Sequence, residues 1–188
     1  MKKTTKNVIV LAIATATSAF TNPPVEKMEV KTSTVNWTGK KITGKHFGTI
    51  QLKDGYFLME GAEIIGGQFV MDMTTIEVTD LQGEMKGKLE GHLNSDDFFG
   101  SKNFPTATLV IKKATKKGNE YDVAAEITIK GVTEPISFTL TKEGNTANAK
   151  LKIDRTKFGI RYGSGSFFDN LGDNTIYDNF ELDVALNF

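Results

Sequence analysis

The chain has 188 residues, 39% of them hydrophobic and 24% charged, with 23 basic residues balancing 23 acidic ones and no cysteine. That length suits one domain with a real core. The missing cysteines exclude disulfides, thiol catalysis and a lipoprotein anchor, which needs an N-terminal Cys after cleavage.

The first twenty residues differ in kind from the rest. Lys2, Lys3 and Lys6 precede an uncharged run from Val8 to Ala19, with small residues Thr17 and Ala19 at its end and Pro23-Pro24 beyond. This is the pattern of a secretory signal peptide over residues 1–19, followed by a linker over 20–27 and one domain over 28–188. The run is too short and too rich in Thr for a membrane anchor. Without those nineteen residues the chain keeps 20 basic against 23 acidic residues, a net −3. Such a balance has no electrostatic footprint for nucleic acid.

Beyond the linker, alternation dominates. Val35–Trp37, Thr49–Leu52, Tyr56–Glu60, Phe69–Met73 with Ile76–Val78, and Ala107–Ile111 are the earlier candidate strands. Tyr121, Val123, Ala125, Ile127 and Ile129 then share one face, and Ile136, Phe138 and Leu140 repeat the pattern. Ala147, Ala149, Leu151 and Ile153 follow, and the chain closes on Phe180, Leu182, Val184, Leu186 and Phe188. A period of two over so many residues indicates half-buried β-strands. Turn signals separate them at Asp54-Gly55, Lys117-Gly118-Asn119, Lys130-Gly131 and Gly144-Asn145.

One interruption falls at residues 81–104. Met85, Leu89 and Leu93 form a helical stripe, and Ser95-Asp96-Asp97 reads as an N-cap with acids in a first turn. The expected fold is therefore all-β: eight antiparallel strands, with one or two short helices between strands. Their apolar faces must meet, either as a two-sheet sandwich or as a barrel, and closure also removes exposed edges. An eight-stranded barrel is just wide enough for one apolar ligand.

Candidate chemistry is sparse. His92 sits near Ser95, Asp96 and Asp97, a grouping that a hydrolase or metal site uses. No second His stands at ligand spacing, so a hydrogen-bonded structural His92 is the plainer reading. Gly163-Ser164-Gly165-Ser166 reads as a flexible loop, and Asp169, Asp173 and Asp178 as solvated loop residues that miss calcium-site spacing. Phe98, Phe99, Phe104, Phe158, Phe167 and Phe168 fall outside the strands, where they plug the barrel ends or line an entrance.

A series of blocks carries a resemblance. These are Trp37-Thr38-Gly39-Lys40, Gly44-Lys45-His46-Phe47-Gly48, residues 67–73 and residues 91–99 (Gly-His-Leu-Asn-Ser-Asp-Asp-Phe-Phe). Asn103-Phe104-Pro105-Thr106-Ala107-Thr108, residues 127–138 and Ile153-Asp154-Arg155-Thr156-Lys157-Phe158-Gly159-Ile160 continue it in order. Together they resemble the YceI-like family of exported polyisoprenoid-binding proteins. The resemblance implies a lipocalin-like barrel with an isoprenoid tail threaded through it, and a periplasmic location. It implies no catalytic residues, no metal and no cofactor. Ala125 departs from the family pattern, which has Gly there, and its methyl is expected to narrow the barrel.

The reading is thus a lipid carrier, not an enzyme, with an apolar isoprenoid lipid as partner. The expected lining residues are Phe69, Met71, Val123, Ile127, Phe138, Leu151, Val184 and Leu186. An outer-membrane β-barrel is the competing reading, against which the single Trp and four Tyr count, because membrane barrels carry aromatic girdles. A hydrolase using His92 with Asp96 or Asp97 and a plain filled core are the others. The oligomeric state stays open, a homodimer included.

Overall fold

The alternating runs become strands longer than their apolar centres suggest, because closing a barrel keeps successive strands paired along their tilt. The computed structural model describes residues 23–188. The leader pattern of residues 1–19 and the start of the linker lie outside them.

The strands are β1 (Val25–Glu29), β2 (Thr32–Lys41), β3 (Gly44–Glu60) and β4 (Glu63–Val78), then helix α1 (Gly83–Asn94). After it come β5 (Thr106–Lys117), β6 (Glu120–Ile129), β7 (Val132–Glu143), β8 (Thr146–Asp154) and β9 (Ile176–Asn187). Every neighbouring pair is antiparallel, β2 pairs with β9, and β3 pairs with both β2 and β4, so the sheet closes on itself. β1 and β2 pair with β3 in one unbroken register, from Val25 opposite Glu60 to Lys41 opposite Gly44. They act as a single strand, which makes the barrel eight-stranded as expected. β1 also draws Val25, Glu26 and Lys27 of the expected linker into the sheet.

Three turn signals work as read. At Lys130-Gly131 both residues have positive φ (52° and 77°), the geometry of a tight hairpin turn. Asp54-Gly55 does not turn: it lies inside β3, beside a bulge between Leu52 and Asp54. Gly55 is there because the Phe69 ring lies on it; a Cβ at 55 would sit 2.8 Å from Phe69 Cδ1. A glycine can thus mark close packing as well as a turn. A larger bulge joins the two expected halves of β4. Between Gln51 opposite Asp72 and Thr49 opposite Glu77, the β4 side carries extra residues, tied by Thr74 and Thr75 to Asp72. The bulge directs Met73 and Ile76 into the interior.

α1 fits the expected helix, but Ser95 ends it instead of starting another. Its N–H and hydroxyl both donate to the His92 carbonyl, 3.1 and 2.7 Å away. The helix lies against β4, where Glu90 accepts the Val78 N–H (2.9 Å) and Lys86 pairs with Glu77 (2.7 Å).

The charged face points outward. On β6, Tyr121, Val123, Ala125, Ile127 and Ile129 are buried, while Asp122 and Glu126 are exposed and pair with Lys117 and Lys112. Lys116–Glu63 and Lys40–Glu181 continue this coat. A membrane-spanning barrel presents an apolar band instead, so the outer face does not fit that reading.

Gly48 is the tightest approach in the wall. A Cβ there would lie 1.8 Å from the Glu77 carbonyl oxygen and 2.9 Å from the Trp37 ring. Gly48→Ala is expected to cost about 3 kcal/mol in urea denaturation. Gly39→Ala, with nothing within 4 Å of its Cβ, should stay within about 0.5 kcal/mol of wild type.

Candidate ligand-binding site

The interior is filled unequally along the barrel. At one end Phe57 packs edge-on against Phe69 (5.0 Å between centroids) and at a tilt against Phe188 (4.9 Å), among Tyr121, Val123, Leu140 and Leu186. That end is solid. At the other end the walls stand apart around a cavity of about 780 Å³. This lies within the roughly 300–1,000 Å³ of pockets that hold one small ligand.

Three parts of the chain bound the cavity. Its walls are inward side chains such as Ile50, Met73, Ile129, Ile153 and Leu182. Leu89, Leu93 and His92 of α1, with Phe98 and Phe99 just after it, close one side. The third part is the β8–β9 connection, which supplies Tyr162, Phe168 and Leu171. The exposed Tyr162, Phe168 and Tyr177 mark the mouth. Toward the solid end the cavity meets a smaller void of about 90 Å³ across a waist of Met71, Ala107, Ile127 and Leu182, which line both.

The expected lining residues divide accordingly. Met71 and Ile127 line the large cavity, whereas Phe69, Phe138, Leu151, Val184 and Leu186 line only the small void. Val123 lines neither, and nor does Ala125; both belong to the solid core. The methyl of Ala125 therefore does not narrow the cavity. Alternation identifies the inward face but not the distance along the axis at which aromatic packing ends. The expected set left out strand residues that alternation had already turned inward, such as Ile129, Ile153 and Leu182, and it missed residues of α1, the segment after it and the β8–β9 connection. The cluster of non-strand phenylalanines was their one signal: Phe98, Phe99 and Phe168 line the cavity, while Phe158 is core.

The β8–β9 connection is held by one buried cation. Arg155 is 2% exposed, and its guanidinium donates to the carbonyls of Ile160 (2.9 Å), Ile176 (3.1 Å) and Tyr177 (3.2 Å). Asp178 stands 3.7 Å away as its counter-charge, and Phe98 lies under the guanidinium. Burial lowers the Arg155 pKa, opposed by Asp178 and Asp154. Asp178 is a member of β9 rather than a solvated loop residue, and Ser166 donates to it at 2.5 Å. Ser164 is fully buried, so the Gly163–Ser166 segment is not the loose loop its composition suggests. Burial alone would raise the Asp178 carboxyl, but the Ser164 and Ser166 hydroxyls and Arg155 leave it below the ordinary 3.8. Asp169 and Asp173 are exposed, as read.

Both histidines of the chain line this cavity. His46 Nδ1 lies 2.8 Å from Asp80, whose other oxygen accepts the Phe47 N–H at 3.0 Å. Burial of Asp80 opposes ionisation, yet the bonds from Phe47 and His46 hold its carboxyl below the ordinary 3.8. His92 stacks edge-on with Tyr162 (4.4 Å) and Phe98 (5.3 Å). Its Nε2 is buried and has no hydrogen-bond partner among the described residues. The expectation of a hydrogen-bonded structural His92 is corrected on this point: the neighbours that bury the ring are aromatic. A triad is not assembled here either. Asp96 and Asp97 are exposed, Asp96 accepts from Asn103, and the Ser95 hydroxyl is spent on the His92 carbonyl.

The profile of the YceI-like domain matches residues 27–188. The chain belongs to the YceI-like family. Protein YceI of Escherichia coli O157:H7 is 28% identical over 91 residues, 48% of this chain and 46% of that protein. The chain thus spans about half the length of the curated relatives it matches. Among solved structures, Burkholderia cenocepacia BcnA superposes with a TM-score of 0.61 at 22% identity, covering 82% of this chain and 94% of BcnA. A polyisoprenoid binding domain from Saccharophagus degradans, implicated in plant cell wall breakdown, gives 0.57 at 16%, covering 87% and 97%. At these identities the likeness is one of fold, and it agrees with the closed barrel described above.

The Asp178 carboxylate has a depressed pKa, so the stability it contributes is present above its unfolded value and lost as pH falls through the folded one. The urea midpoint of the wild type is expected to fall below about pH 4. Asp178→Asn should start lower at pH 7, because it leaves Arg155 buried without its counter-charge, and should lose less between pH 4 and lower values.

Proposed function

We propose that this protein binds one long-tailed apolar lipid of the polyisoprenoid class, an isoprenoid quinone or a relative, inside the barrel and carries or stores it in the periplasm. The observation that carries the reading is the apolar cavity of about 780 Å³ at one end of a barrel whose other end is solid. A hydrocarbon tail gains roughly 0.8 kcal/mol for each CH₂ it withdraws from water. Walls of Ile, Leu, Met and Phe offer such a tail a sink without offering it chemistry. The narrow continuation past Met71 and Ile127 suits a tail rather than a bulky ring.

Two further observations support the reading. The Saccharophagus domain that shares the fold is described as polyisoprenoid binding. The leader pattern at residues 1–19 supports export, and with it the periplasm as the place of action. The protein acts on this reading by binding and release, not by turnover.

The test is to purify the protein without detergent, extract it with organic solvent and identify lipids by mass spectrometry. A near-stoichiometric isoprenoid is expected, and no lipid at all, with a tail-length series of probes failing to bind, overturns the reading. Ala107→Met, which places a longer side chain at the waist, is expected to shorten the tail recovered while leaving the circular dichroism spectrum unchanged.

A further inference from the structure

We propose that the wide end of the cavity is a head-group site in which His92 Nε2 makes a hydrogen bond to a hydroxyl or carbonyl oxygen on the bound lipid, and that cationic heads are refused. This rests on the lipid-binding reading above and adds the orientation and head chemistry of the ligand.

His92 Nε2 is a buried polar atom without a hydrogen-bond partner among the described residues; the other such atom, Asp178 Oδ1, at least faces the Arg155 guanidinium at 3.7 Å. Buried polar groups are satisfied in the great majority of cases, so an orphan on a ring that lines a cavity points to a ligand group. The aromatic edges around it, Phe98 and Tyr162, offer only weak substitutes. His46 lines the same space and has its Nδ1 turned to Asp80, so in the neutral ring Nε2 is left as a free acceptor. Residues 46 and 92 are far apart in the chain, yet both line this cavity, at the end opposite the solid aromatic core.

Charge selects among heads. The lining contains Lys40, Lys41 and Arg155 and no carboxylate, so an amine or choline head meets like charge. Arg155 already donates to three carbonyls and Lys40 to Glu181, so Lys41 is the one lining cation without an ion pair among the described residues. A neutral oxygen head is the one that the two imidazoles can serve. The small void on the other side of the waist is lined by apolar side chains and Thr108, so the tail points that way.

The experiment compares farnesol, farnesene and farnesylamine, which share one carbon skeleton, by displacement of a fluorescent probe from the full-length protein. Farnesol is expected to bind more tightly than farnesylamine. His92→Phe should weaken farnesol about five- to tenfold, the scale of one hydrogen bond, and leave farnesene unchanged. His92→Gln, which keeps a hydrogen-bonding group, should recover part of the loss. The ¹⁵N resonance of His92 Nε2 should shift with farnesol and not with farnesene. If farnesene binds but His92→Phe affects both ligands equally or neither, the head-group site is wrong and the lipid-binding reading survives. Equal binding of farnesylamine and farnesol overturns the charge selection. If no probe binds the wild type, both readings fall together.

Discussion

A closed sheet has only one inner face, and every side chain on that face must meet another side chain or border a void. This constraint governs the whole molecule. With eight strands the interior is wide enough that ordinary aliphatic residues do not reach across it everywhere. At one end Phe57 meets Phe69 edge to face and Phe188 at a tilt, and the three rings close the gap. The glycines at 55 and 67 make this possible, because side chains there would collide with the Phe69 ring or its surroundings. At the other end the inward wall residues are mostly aliphatic, such as Ile50, Met73, Ile129, Ile153 and Leu182, and the centre is left open.

An open end exposes apolar wall to water unless something covers it. α1 and the β8–β9 connection do so by different means. α1 is an ordinary short helix that turns Leu89 and Leu93 inward. The connection has little regular structure of its own, and its backbone carbonyls are gathered by the buried Arg155 guanidinium, with Asp178 and two serines balancing the charge. A planar group with five donors suits that task, since one side chain can tie together carbonyls from separate segments. The cover is therefore fixed by polar bonds at its root and carries apolar rings at its tip. A lipid site needs that combination, a stable frame beside a greasy, partly exposed mouth.

The same division suits the binding proposed above. The apolar walls have no groups to polarise a substrate. Of the polar side chains that line the cavity, His46 is held by Asp80 and His92 is wrapped in aromatic rings. Such an arrangement can orient an amphiphile while leaving its chemistry alone. The outer face, laced with Lys–Glu and Lys–Asp pairs, presents a charged surface to its surroundings.

Much of this was legible in the sequence because it follows from local periodicity. A side chain's face on a strand depends only on whether its position is odd or even, so Val123, Ile127, Phe138 and Leu186 were correctly read as inward, and the count of eight strands holds because the runs Thr49–Leu52 and Tyr56–Glu60 are one strand, β3. The motif blocks determined the family by themselves. Depth along the barrel is a different quantity, because it depends on strand tilt and on which strands lie opposite. Val123 and Ile127 belong to one strand and one face, yet one is sealed in the solid core and the other borders the cavity. Gly55 read as a turn because its local sequence is that of a turn, and only the ring of Phe69 on the neighbouring strand explains it. His46 and His92 show the limit most plainly. They carry no shared motif, and their meeting at one cavity was decided by the closure of the sheet and the docking of α1, contacts between residues remote in sequence that no local pattern encodes.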